Sequence, residues 1–176
     1  MRALIDAHML GAHETGNETY IRGLLDGLAQ IGSRQVVGVA DPCIAVPGHD
    51  AHPLAHRSNT ARLLLDLPRM ARQVGASLIH GTYVAPPFSP VPTVLTVHDV
   101  SFARYPEAFT VRDRALLGTA VPFSARRARA IIVPSVLDAM ACGARRAHGR
   151  RRTVRRARQA RGRKICFVAS AGWRSR

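Results

Sequence analysis

Five short apolar runs constrain this chain more than any other feature. They cover residues 2–6, 35–40, 77–80, 94–97 and 130–133, and each is four to six residues long and bounded by turn residues. Runs of this length, rich in Val and Ile and apolar on both faces, are what strands buried in a parallel sheet look like. Between them lie stretches with helical spacing. Ile21, Leu24, Leu25, Leu28 and Ile31 recur at three- and four-residue steps, with Asn17 placed to cap the start and Gly32 to end the helix. A second helix is predicted over 60–73, capped by Asn59, with Leu63, Leu64, Leu67 and Met70 inward and a kink at Pro68. A third is predicted over 110–128, kinked near Pro122, and another opens at Pro134 and Ser135 and continues from Val136. Residues 41–58, 81–92 and 101–106 read as loops.

Strand alternating with helix predicts an α/β fold with a doubly wound, mostly parallel Rossmann-like sheet, followed by an irregular basic C-terminal tail. The expected strand order is 3-2-1-4-5. That order would set the first and fourth strands side by side, with the Gly16 loop facing His98 and Asp99 across one crevice. No apolar run reaches the ~18 residues that a membrane span needs. The chain is therefore expected to be cytoplasmic, at most peripheral to the inner membrane face.

Charge divides the chain unevenly. Residues 1–138 hold 13 Arg against 11 acids, a balance of +2, whereas residues 139–176 hold 12 Arg, one Lys and no acid. The expected organisation is thus a near-neutral body over 1–138 and an arginine-rich tail over 139–176. Such a tail, at 145–164 above all, would bind polyanions non-specifically through counterion release. It carries few aromatics, only Phe167 and Trp173, which argues against a base-reading module. The apolar island at 165–168 has no evident partner.

Chemistry in open α/β sheets gathers at the carboxyl ends of the strands. His98 and Asp99 stand at the end of the fourth run and are the candidate catalytic pair. The alternative is a strand-end His satisfied by backbone, with Asp99 capping a turn. Gly16 and Asn17 form a candidate phosphate-approaching loop before a helix, or an ordinary strand-to-helix turn. His80, Tyr83 and Phe88 could line a pocket, since aromatic faces pack on sugar rings, or could anchor a loop. His49, His52 and His56 are close in sequence, but Pro53 interrupts them and they read as a solvated loop; no metal site is expected. Cys43, Cys142 and Cys166 match no zinc or disulfide spacing and read as incidental thiols.

Several of these stretches, taken in order, are similar to the family 4 glycosyltransferases of the GT-B type. Ile5-Asp6-Ala7, then Thr15-Gly16-Asn17-Glu18-Thr19-Tyr20, resembles the opening of that family. His80 with Pro86-Pro87, Thr96-Val97-His98-Asp99-Val100-Ser101-Phe102, Tyr105-Pro106-Glu107 and Ile131-Ile132-Val133-Pro134-Ser135 resemble its later signatures. The likeness is collinear and covers about residues 1–140, although Glu18 stands where the family has a second glycine.

The resemblance implies the N-terminal, acceptor-side half of a GT-B fold. It also implies transfer of a sugar from a nucleotide-sugar co-substrate to the hydroxyl of a sugar or lipid-linked acceptor, with no other cofactor. His98 would lie near the donor sugar and position it. His80, Tyr83 and Phe88 would face the acceptor, and Gly16 and Asn17 the diphosphate. No Glu follows Glu107, so the paired glutamates of the donor half do not occur. The expectation is a fragment that is inactive alone. The arginine-rich tail would then reflect a truncated or out-of-frame reading of a GC-rich coding sequence. The competing reading is a non-enzymatic Rossmann-like body whose polybasic tail binds nucleic acid or anionic membrane.

Overall fold

A computed structural model describes residues 2–12, 15–98, 101–133 and 165–168. The chain divides into two compact units, Met1–Thr93 and Val94–Arg176. The fold is α/β and Rossmann-like, and every strand pairing given below is parallel.

In the first unit, β1 (Ala3–Asp6) lies between β2 (Val36–Val39) and β4 (Leu78–Thr82), and β3 (Asp50–Pro53) pairs with the far side of β2. The register sets Ile5 opposite Val37 on one side and His80 on the other. Two differences from the sequence reading follow. The strand beside β1 is the one that contains His80, not the one leading to His98, so the expected order 3-2-1-4-5 is wrong. In addition, 50–53 is a strand rather than loop. Asp-Ala-His-Pro has no apolar run, and half of its residues face solvent, so nothing in its composition marks it. Proline is tolerated at the end of such an outer strand.

Alternation along β1 and β2 gives the sheet two apolar faces. Ile5, Val37 and Val39 pack with Ile21 and Leu25 of α1 (Thr15–Gln30). Leu4 and Val36, with Ile79 of β4, pack with Leu67 and Met70 of α3 (Leu67–Gln73). Each fully buried aliphatic side chain contributes roughly 1.5–3 kcal/mol, so these two layers dominate the stability of the unit. Helix α1 ends as expected. Gly32 takes φ +68°, and the N–H groups of Gly32 and Ser33 bond the carbonyls of Ala29 and Leu28. This is the paired-bond glycine terminator of helices. Ile31 lies past the helix and is exposed.

The predicted helix over 60–73 is three pieces: α2 (Asn59–Ala61), a π-turn (Arg62–Asp66) and α3. Pro68 has no N–H and would crowd the carbonyl four residues back. The chain answers by widening one turn, so that the Leu67 N–H bonds Arg62 O. The extra residue rotates the face. Leu64 turns out to solvent, against expectation, and Arg62 and Asp66 turn in. Asn59 is not the cap; its side-chain oxygen accepts from Arg62 Nη1 at 2.6 Å.

In the second unit, β5 (Thr93–Thr96), whose first residue closes the first unit, pairs with β6 (Ala130–Val133). Strand β6 pairs in turn with β7 (Ile165–Val168), which supplies the partner that the island at 165–168 lacked in sequence. Helix α4 (Ser101–Arg104) and a 3-10 turn (Pro106–Ala108) precede α5 (Val111–Arg127). Thr110 caps α5 by accepting from the Asp113 N–H, and its hydroxyl donates to the Asp113 carboxylate. The helix runs through Pro122. No helix among the described residues is long and apolar enough to cross a membrane. Apart from β7, the tail expectations for 139–176 and the helix expected from Pro134 fall outside the described residues.

Candidate functional site

Asp6 is the last residue of β1, the strand between β2 and β4. Its neighbour Leu4 faces α3, and alternation sends Asp6 to that same face. Only 2% of it is exposed. A carboxylate in so dry a place must be paired. Two basic side chains meet it. His8, two residues on, brings Nδ1 to 3.0 Å from Oδ1, and Arg62, turned in by the π-turn, brings Nε to 3.3 Å from Oδ2. Burial pushes the Asp6 carboxyl up. The hydrogen bond from His8, its charge and that of Arg62 outweigh burial and hold the carboxyl below its usual range.

The same π-turn builds a second pair. Asp66 is buried; its carboxylate accepts from the His56 N–H at 2.9 Å and lies 2.7 Å from His56 Nδ1. The expected solvated histidine loop is therefore corrected. His49 is also buried: its Nδ1 accepts from the Gln35 N–H at 3.1 Å, and its Nε2 donates to Leu25 O at 2.8 Å. That ring ties β2's entry to α1. Among the described residues no three His, Cys, Asp or Glu gather as a metal-binding group.

His80 lies on β4, is 6% exposed, and shares the α1 face with its register partner Ile5. Its ring centroid is 6.3 Å from that of Tyr20, one turn into α1. Just past β4, Tyr83 adopts φ +59°, and the Val84 N–H bonds Thr82 O at 2.6 Å. This is a γ-turn with positive φ at its centre, the rarer and more strained of the two kinds. A bulky aromatic held there stores about 1–3 kcal/mol, and such strain clusters at ligand-handling sites. Tyr83 is half-buried, whereas Phe88 is 75% exposed on the following loop.

Gly16 and Asn17 are not loop residues. Helix α1 begins at Thr15, two residues before the expected cap, so both sit in its first turn. Glu18 secures this start by accepting from the Gly11 N–H at 3.1 Å and pairing with Arg22 at 2.6 Å. A Cβ added to Gly16 would meet nothing within 4 Å, so no protein contact requires glycine there. His98, two residues past β5, is half-buried in the second unit, and Asp99 lies outside the described residues.

The first unit therefore brings together His80 and Tyr20, with Tyr83 beside them in sequence. It also forms a constellation that sequence reasoning missed: Asp6, His8 and Arg62. Asp6 and His8 were legible as an acid ending a strand with a His two residues on. Arg62 was not, because a regular helix over 60–73 would have pointed it outward. No protein-family model matches the chain, and a search of curated proteins finds no match.

Proposed function

We propose that this chain carries the acceptor-side half of a glycosyltransferase of the GT-B kind. On this reading it takes part in moving a sugar from a nucleotide-sugar to the hydroxyl of a sugar or lipid-linked acceptor, in the cytoplasm. The observation that carries the reading is the neighbourhood of His80. A buried imidazole stands against the Tyr20 ring on a parallel strand and is followed at once by the strained Tyr83 turn. An imidazole supplies a donor and an acceptor to sugar hydroxyls, and aromatic rings supply faces for the apolar side of a pyranose. The ordered likeness over about 1–140 supports the same class. In that scheme His98 positions the reacting donor sugar, and preorganised charge at the departing diphosphate carries most of the rate.

Titration of the ¹⁵N-labelled full chain with methyl glycosides of glucose, mannose and galactose, with and without UDP, tests the reading. Shifts at Tyr20, His80 and Tyr83 that vanish in His80→Ala are expected. Saturation with no shift at these residues for any glycoside would overturn it. The polyanion reading rests on the charge of 139–176 and predicts the opposite pattern: salt-sensitive binding to a random oligonucleotide that survives His80→Ala and is lost with the tail.

A further inference from the structure

The Asp6–His8 pair has the arrangement that proton transfer requires, and it is separate from the His80–Tyr20 ring contact and from His98. Asp6 is buried at the carboxyl end of a strand flanked by two others. Against burial, the His8 hydrogen bond first, then the charges of His8 and Arg62, hold its carboxyl below the usual range; Arg62 Nε lies 3.3 Å from one oxygen and His8 Nδ1 3.0 Å from the other. A carboxylate so placed fixes the imidazole tautomer: Nδ1 carries the proton and donates, which leaves the Nε2 lone pair outward. The His8 side chain is 25% exposed, so the ring is anchored on its inner edge and reachable on its outer one. His8 sits in the turn that follows β1, where the Leu10 N–H bonds Ala7 O. That turn is held to α1 by the Gly11–Glu18 bond. Both ring and carboxylate are thus fixed before any ligand arrives, and such preorganisation makes a base effective.

The second pair, His56–Asp66, is a contrast. It follows the outer strand β3, its ring is about half exposed, and its aspartate accepts the His56 N–H at 2.9 Å, where Asp6 accepts the His8 N–H only at 3.4 Å, so it clamps a loop.

The geometry points to His8 as a catalytic base, oriented by Asp6, for a hydroxyl-bearing acceptor bound at the carboxyl end of β1; this rests on the glycosyl-transfer reading. In the step, the acceptor O–H bond breaks and its proton moves to His8 Nε2. The oxygen's electron pair forms the new bond to the anomeric carbon, and the bond from that carbon to the diphosphate oxygen breaks, its pair leaving with the diphosphate. The imidazolium produced lies against the Asp6 carboxylate, which stabilises it.

Two measurements on the unmodified full chain test this. First, ¹⁵N spectra of the histidine rings, with His8 identified by its loss in His8→Gln, are expected to show that the uncharged His8 ring is protonated at Nδ1 and bare at Nε2. A ring protonated at Nε2 alone would overturn the inference whether or not any variant folds. Second, diethyl pyrocarbonate acylates bare ring nitrogens. With a methyl glycoside at ten times its dissociation constant, acylation of His8 is expected to slow about tenfold, by mass action. If a glycoside shifts Tyr20 and His80 yet leaves the His8 rate unchanged, the acceptor reading stands and the role of His8 falls. If no glycoside shifts either residue, both fall.

Discussion

Replacing Arg62 with methionine should destabilise the protein far more than a typical charge removal. Asp6 and Arg62 are 2% and 7% exposed. Water therefore cannot take over from the lost guanidinium, and a buried pair broken on one side costs about 3–5 kcal/mol. His8 remains on the other carboxylate oxygen, which sets the expectation at the lower end, about 3 kcal/mol. That is a large share of the 5–15 kcal/mol that typical domains possess. With a urea dependence of about 2 kcal/mol per molar, the unfolding midpoint should fall by about 1.5 M.

The double variant Arg62→Met with Asp6→Asn removes both charges and should be more stable than Arg62→Met alone, because no carboxylate is stranded. Acid dependence supplies the sign. The folded Asp6 carboxyl lies below its unfolded value of 3.8, so its contribution is fully present above that value. It is lost as pH falls through the lowered folded value, and in Arg62→Met this acid-side loss should be shallower. Denaturant titrations followed by circular dichroism from neutral pH down to acid measure all three. A loss under about 1 kcal/mol for Arg62→Met, or a double variant weaker than either single one, would refute the claim that this pair is buried and interdependent.

Other outcomes follow from single positions. Gly48→Ala should cost about 1–2 kcal/mol in thermal or urea unfolding, since φ is +79° and the new Cβ would stand 3.0 Å from that of Ala29. Gly16→Ala, into open space in a helix, should be neutral or gain up to about 1 kcal/mol. His49→Ala strands the Gln35 N–H and Leu25 O and should cost about 2–4 kcal/mol, read by the same melts. Tyr83→Gly should relieve about 1 kcal/mol of turn strain while weakening glycoside binding, so stability and affinity move in opposite directions. A parallel fall in both would refute the claim of stored strain.

The candidate site was legible only in part. His80 was chosen with Tyr83 and Phe88 as a group that could line a pocket; it closes the apolar run at 77–80 in sequence but lies inside β4 in the fold. Tyr83 was chosen for its aromatic ring, but its strained backbone has no mark in sequence. The three histidines at 49, 52 and 56 looked alike in a polar segment. Their environments differ because one ring reaches α1, one finds a buried aspartate, and one stays on the outer strand. Gly16 and Asn17 were displaced from loop to helix because the start of α1 depends on Glu18 bonding back to Gly11, a contact seven residues apart.

Local pattern marked strands at 2–6, 35–40, 77–80, 94–97 and 130–133, each within two residues of the strand found, and it marked the face of α1 up to Leu28 and its end at Gly32. Hydrophobic periodicity and glycine's freedom at positive φ act over a few residues, so sequence alone carries them. Tertiary structure decided which strands are neighbours. It made 50–53 a strand by offering it the open edge of β2, and it gave 165–168 a partner in β6. It also turned one residue of a helix through a π-turn, so that a proline's missing N–H brought Arg62 inward onto Asp6. Each of these depends on groups far apart in the chain meeting in one place, and no short window of sequence contains both partners.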